Sequence, residues 1–329
     1  MSTDRAPLLA VESLSVAFPT AAGELRAVDG VSLTLARGAS LGLVGESGAG
    51  KSQLALAVPG LSPPRARLAG SIRFAGEELV GAPERALRAL RGARIGTIFQ
   101  DPSAALAPHL TVGTQLVEVL AAHGGLRGAA ARRRAVEMLE RVRVPDAAAR
   151  LTQYPHELSG GLKQRVMIAI ALIGGPALVV ADEPTTALDV TVEAGILALL
   201  AELAQAHDTA LLLVSHDLAV VAGLCDDIAV LYAGRIVEQG PARAVLGRPA
   251  HPYTAALLAA RLTLDSALDE PVPAIAGSPP PAAARPAGCA FAPRCPRALA
   301  RCAIERPVLA PQGAAAVACH APLAAGAAT

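Results

Sequence analysis

"SLGLVGESGAGKSQLALAV", residues 40–58, decides the architecture. Its first five residues form a continuous apolar run of strand character, and "KSQLALAV" at its end reads as a helix. The glycine-rich turn between them fits G-x-x-x-x-G-K-S/T through Gly45, Gly50, Lys51 and Ser52. The glycines let backbone N–H groups close around a phosphate, with Ser47 and Gly48 inside the same turn, and the helix start adds its positive dipole end. Lys51 would bring charge to the β- and γ-phosphates, and the Ser52 hydroxyl could ligate Mg²⁺. An ordinary glycine-rich turn would not need both a strand before it and a helix after it.

Working outward, "LLAVESLSVAF" (8–18) and "VSLTL" (31–35) alternate as antiparallel strands do. "SIRFAG" and "IGTIF" are two further strands. From about 103 to 175 the pattern turns helical, with "VGTQLVEVLAAH" and "AARRRAVEMLERV". Apolar strands then return as "ALVVA" (177–181), "ALLLVS" (210–215) and "IAVLY" (228–232), separated by a helix over 190–206 and a shorter one. Buried strands alternating with helices imply an α/β core with helices on both faces, interrupted by a helical insert.

Candidate site residues fall at the ends of these strands. "ALVVADEP" puts Asp182 at a strand's carboxyl end, where open α/β sheets receive ligands, and Asp182 could hold Mg²⁺ through water. Glu183 beside it is placed to act as base or to orient water against a γ-phosphate. Gln100 follows "IGTIF" and could reach the metal and the attacking water. His216 follows "ALLLVS" and could donate to the γ-phosphate, and Asp189 lies just past the acidic pair in "TTALD". Each alone would be an ordinary polar residue at an element's end.

"YPHELSGGLKQRV" (154–166) holds a second glycine pair. Ser159 is expected to N-cap the helix, with Gly160 and Gly161 exposing N–H groups at its start. One chain has no need of two phosphate cradles. The economical reading is that this one serves a nucleotide held by another copy, two chains facing head to tail.

The order GESGAGKS, Gln100, LSGGLKQR, ADEP, TALD and SHD resembles the ATP-binding cassette (ABC) ATPases over about residues 8–260. "QDPSAALAPHLTVGTQ", "YPHELSGG", "ADEPTTALDVT" and "HPYTAALL" narrow the likeness to the ATPase subunits of peptide and nickel importers. The resemblance implies an ABC-type P-loop fold: a RecA-like parallel-sheet core, an N-terminal antiparallel β-subdomain and a helical subdomain. It implies ATP and Mg²⁺, the metal held through Ser52, Gln100 and Asp182, with Phe18 stacked on the adenine. Ser159, Gly160, Gly161 and Gln164 would form a signature read in trans, and Asp189 would lie at the dimer contact. It further implies a second ATPase subunit, two permease subunits, an extracytoplasmic solute-binding protein and a peripheral place on the cytoplasmic face of the membrane. Leu162 departs from the Gln that many members carry there.

Net charge is +1 with 17% charged residues, so no polycation marks a nucleic-acid partner. The longest apolar stretch, residues 166–181, is broken by Gly174, Gly175 and Pro176 and falls short of a membrane span. The first residues lack a secretory pattern. Two other classes stand beside the importer: a cytosolic ABC protein acting on ribosomes or DNA, and a non-catalytic scaffold subunit. The single cassette disfavours the first, and the intact Glu183, His216 and LSGG disfavour the second.

After residue 260 the chain turns Pro- and Ala-rich over 271–287, which reads as a linker, and then carries Cys289, Cys295, Cys302 and Cys319, spaced C-x5-C-x6-C-x16-C. This divides the chain into a cassette over 1–260 and a linker with a four-cysteine segment over 261–329. Zinc sites show tighter cysteine pairs; four thiolates at loose spacing suit a four-iron four-sulfur cluster, as in similar tails of peptide-importer ATPases. Zinc, or thiols with no metal, are the alternatives. Cys225 reads as a small buried hydrophobe.

Overall fold

A computed structural model describes residues 7–21, 23–185, 190–260, 275–281 and 284–323. The chain opens with a long hairpin, β1 (Leu9–Thr20) and β2 (Gly23–Leu35), followed by β3 (Ser40–Val44) and α1 (Lys51–Ala57). Next come β4 (Arg67–Phe74), β5 (Glu77–Glu78), α2 (Glu84–Leu90) and β6 (Ile95–Ile98). The helical insert holds α3 (Pro102–Ala105), α4 (Val112–His123), α5 (Gly128–Arg141), α6 (Ala147–Arg150) and α7 (Gly160–Leu172). The core resumes with β7 (Leu178–Asp182), α8 (Val190–Ala206), β8 (Ala210–Val214), α9 (Leu218–Leu224) and β9 (Asp227–Tyr232). It ends with β10 (Arg235–Pro241), α10 (Ala242–Gly247), α11 (Pro252–Ala259), α12 (Ala300–Ile304), β11 (Ala310–Gln312) and β12 (Ala315–Val317).

Two sheets organise these elements. The antiparallel sheet runs β2-β1-β4-β5, and the central sheet runs β11-β12-β10-β9-β3-β8-β7-β6. From β9 through β3, β8 and β7 to β6 every pairing is parallel. β3 is buried on both faces. Leu41 and Leu43 join the core shared with α1 and the antiparallel sheet, whereas Val44 joins the core under the helical insert. That two-sided burial is why the strand reads as an apolar run rather than an alternation. The expected α/β class, antiparallel subdomain and helical insert are all present.

The four-cysteine segment is not a separate appendage. Its β12 pairs antiparallel with β10, Glu238 opposite Val317, and so extends the central sheet. Phe291 is 1% exposed and meets Tyr232 edge-on at 5.3 Å and Tyr253 at 5.4 Å. Beneath this cluster the buried Glu238 carboxylate accepts the Ala250 and His251 N–H groups, tying β10 to the start of α11. Of the expected linker over 271–287, residues 271–274 and 282–283 lie outside the described residues.

Candidate nucleotide site

The loop between β3 and α1 has little freedom. Gly45 and Gly50 sit at φ +149° and +101°, and a Cβ on Gly50 would come within 2.4 Å of the Ala27 carbonyl oxygen. Only glycine serves there. Lys51 is 5% exposed, and its ammonium donates to the carbonyls of Gly45 at 2.8 Å and Glu46 at 3.1 Å. It is thereby folded back across the loop, aimed where phosphates would lie. Burial lowers its pKa, opposed by Glu183, Asp182 and Glu46.

Opposite the loop, β7 delivers two carboxylates. The Ser52 hydroxyl donates to Asp182 Oδ1 at 3.0 Å, joining the first turn of α1 to the strand end. Burial pushes the Asp182 pKa up, and Glu183 pushes it further. Glu183 stands in the left-handed region at φ +45°, its N–H donating to the Val214 carbonyl at 3.0 Å. A non-glycine residue held so is strained backbone fixed by its surroundings. Its carboxylate accepts from Gln100 Nε2 at 3.1 Å, lies 3.6 Å from His216 Nδ1, and approaches the Lys51 ammonium at 4.0 Å. His216 is presented by a tight turn in which Asp217 N–H donates to Ser215 Oγ, and its ring is largely exposed. Thus Lys51, Ser52, Gln100, Asp182, Glu183 and His216, scattered along the sequence, meet at one end of the parallel sheet.

A magnesium ion suits this corner. Hydroxyl, carboxylate and side-chain amide offer hard oxygen donors, and the Ser52–Asp182 hydrogen bond shows the two nearest groups already directed at one point.

The signature helix behaves differently. Ser159 occupies the N-cap of α7, yet its side chain makes no capping hydrogen bond, so the expected capping role is not what the serine does here. Ser159 and Gly160 face solvent. Gln164 turns inward instead: it is 2% exposed and its amide N–H donates to the Pro184 carbonyl. One turn of helix therefore separates an outward helix start from an inward tether to the Asp182–Glu183 strand end. Phe18 is half-buried in β1, paired with Leu25 across the hairpin and packed on the antiparallel-sheet core. Asp189 lies outside the described residues.

Sequence reasoning missed the loop's lateral supports. Tyr253 of "HPY" accepts the Glu46 N–H on its hydroxyl at 2.8 Å. His251 caps α11, its Nδ1 accepting the Tyr253 N–H. The "HPYTAALL" stretch was legible as a likeness; its physical use, bracing the phosphate loop, required the fold.

The cysteine expectation finds no support in the side-chain placement. The four thiols gather closely enough for Cys319 to feel the other three electrostatically. Among the described residues, however, no three His, Cys, Asp or Glu side chains are placed to hold one metal ion. Neither the iron–sulfur cluster nor zinc is supported. Burial pushes the Cys289, Cys295 and Cys319 thiols up, with the neighbouring cysteines adding to the shift. Cys302 is buried, and its sulfur accepts the Leu299 N–H at 3.4 Å. These contacts fit thiols that pack the segment. Burial likewise drives the Cys225 thiol up to about 12, matching its reading as a small hydrophobe.

A glycine-rich loop between a parallel strand and a helix, with a buried lysine across it and Ser52 bonded to the Asp182 strand end, defines a P-loop nucleotide-binding cassette. Comparison with known proteins makes this specific. Residues 28–186 match the ABC transporter family, and residues 237–302 match the oligopeptide/dipeptide transporter C-terminal region. The oligopeptide transport ATP-binding protein OppD of Salmonella typhimurium is 50% identical over 295 residues, spanning 90% of this chain and 88% of that protein. OppD of Escherichia coli is 48% identical over 301 residues, spanning 92% and 89%. Among solved structures, the dimeric ATP-binding cassette MJ0796 bound to ADP and Pi superposes with TM-score 0.65 at 26% identity, covering 71% of this chain and 99% of its own. This chain belongs to the ABC transporter ATP-binding family, and its C-terminal region places it on the oligopeptide/dipeptide branch. It is an ABC ATPase.

Proposed function

We propose that this chain is the ATP-hydrolysing subunit that powers import of di- or oligopeptides, or a related small solute, through a membrane permease. The observation that carries the reading is the meeting of Lys51, Ser52, Gln100, Asp182, Glu183 and His216 around one loop. Its support is that the OppD proteins resembling the chain along most of its length are named for oligopeptide transport. No described helix is long and apolar enough to cross a membrane.

In this reading Gly45, Ser47, Gly48, Gly50 and Lys51 receive the phosphates, and Phe18 receives the base. Bound Mg²⁺, held by Ser52, Asp182 and Gln100, supplies charge neutralisation across the phosphate oxygens. Glu183 takes the proton of the attacking water, Gln100 and His216 fix its position, and the strained Glu183 backbone keeps the carboxylate aimed. Ser159, Gly160 and Gly161 close the site of a second cassette, with Asp189 at the contact between them. Gln164 serves by anchoring that helix to Pro184. The cassette spans about residues 1–260, its helical part about 103–175, and residues 261–329 form a linker and four-cysteine segment. Its partners are a second ABC ATPase, two permease subunits and an extracytoplasmic solute-binding protein, on the cytoplasmic face of the membrane.

Affinity capture of the tagged chain from native membranes in mild detergent, followed by mass spectrometry, tests this. Two permease subunits and a second ATPase are expected. Recovery with ribosomes or DNA and no permease would overturn the transport reading.

A further inference from the structure

Glu46 is an odd residue for its position. It is the second residue of a loop that receives polyanions, and a free carboxylate there would repel them. The structure deals with that charge from far along the chain. Arg294, between Cys289 and Cys295, places its guanidinium against Glu46 in a two-pronged pair, Nη1 to Oε2 at 2.7 Å and Nη2 to Oε1 at 3.0 Å. Its remaining donors go to the Ala276 carbonyl at 2.8 Å, the Ile275 carbonyl at 3.1 Å and the Tyr232 hydroxyl at 3.2 Å. The side chain is only 4% exposed, and that of Glu46 is 24% exposed. Such burial removes most solvent screening, so the pair neutralises rather than merely decorates. Meanwhile the Glu46 backbone is busy: its N–H reaches Tyr253 and its carbonyl receives the Lys51 ammonium.

We propose that Arg294 is a positioning residue for the nucleotide site, masking the Glu46 charge and holding that carboxylate aside so that the phosphate loop presents only Lys51 and backbone N–H groups to a nucleoside triphosphate. The four-cysteine segment is thereby an electrostatic part of the site. A simple tail anchor would need only the carbonyl contacts and the Phe291 packing. It would not need a buried guanidinium paired with an acid inside the phosphate loop. The hydrogen bonds to Glu46 and, less strongly, Tyr232 hold the Arg294 pKa above its ordinary value against the opposing effect of burial, so the mask stays charged.

This inference rests on the ATPase reading, and the test separates the two. Calorimetric titration of the full chain with the magnesium complex of AMP-PNP, a non-hydrolysable ATP analogue, is compared for wild type, Arg294→Gln, Glu46→Gln and the double variant. Arg294→Gln keeps an amide for the carbonyls but loses the charge, and its Kd is expected to rise about tenfold at low salt. The loss should shrink as salt screens Glu46, and adding Glu46→Gln should restore affinity to within about threefold of wild type. Arg294→Gln binding as wild type, or a double variant no better than Arg294→Gln alone, would overturn the proposal. Should Arg294→Gln fail to fold, Glu46→Gln decides: unchanged or tighter binding is expected, and clear weakening refutes charge masking. A wild-type chain that does not bind the probe counts against the ATPase reading instead.

Discussion

Glu183→Gln is the substitution whose outcome bears most directly on the chemistry. Glutamine has nearly the same shape, so the strained turn at φ +45° and the 3.0 Å bond from its N–H to Val214 should survive. What disappears is the negative charge and the ability to accept a proton. Lys51 loses a carboxylate 4.0 Å away but keeps its two carbonyl partners at 2.8 and 3.1 Å, so the phosphate cradle stays set. Nucleotide affinity should therefore hold, or improve slightly as a nearby negative charge is removed. Turnover should not hold. A positioned general base contributes about 10²- to 10⁴-fold, equivalent to about 3–5 kcal/mol of barrier at about 1.4 kcal/mol per decade. The assay is phosphate release at saturating MgATP beside a binding titration on the same preparation. Turnover within about threefold of wild type, with binding intact, would refute the role given to Glu183 and move the base elsewhere.

Other outcomes follow from the same geometry. Gly50→Ala drives a methyl to 2.4 Å from the Ala27 carbonyl, and the expected result is lost nucleotide binding with the far-UV circular dichroism retained. Phe291→Ala empties the aromatic cluster over Tyr232 and Tyr253, which should cost about 3–5 kcal/mol and lower the thermal midpoint by several degrees. His251 is buried neutral with its pKa lowered to about 3 from 6.5. Because the folded state resists a proton that the unfolded state takes up, its contribution is fully present above pH 6.5 and is lost as pH falls from there toward 3. Chemical denaturation of wild type and His251→Asn between pH 7.5 and 5 should show wild type losing up to about 1.4 kcal/mol per pH unit more than the variant. Parallel slopes would contradict this.

The sequence carried some of this fold almost to the residue and was silent on other parts. The expected strand 40–44 is β3, "VGTQLVEVLAAH" is α4 from Val112 to His123, and the helix over 190–206 is α8. These segments bury one stripe or both faces, so their periodicity survives in the chain. The core site residues were legible for a related reason: open α/β sheets gather ligands where strands end. By contrast β10, with Gly240 and Pro241 at its end, and the alanine strands of β11 and β12 carry no pattern that short-range reasoning detects. The Arg294–Glu46 pair spans 248 positions and belongs to no spacing rule. Ser159 shows the opposite error, a residue type suited to capping that is left uncapping. Local propensity cannot tell a serine serving its own helix from one left open to solvent.

The pairing of β12 on β10 also sets an order of events during synthesis. β10 is complete once residue 241 is made, but its covering strand is not made until residues 315–317. At 5–20 residues per second, that leaves a bare strand edge for on the order of several seconds, the kind of edge on which nascent chains mispair.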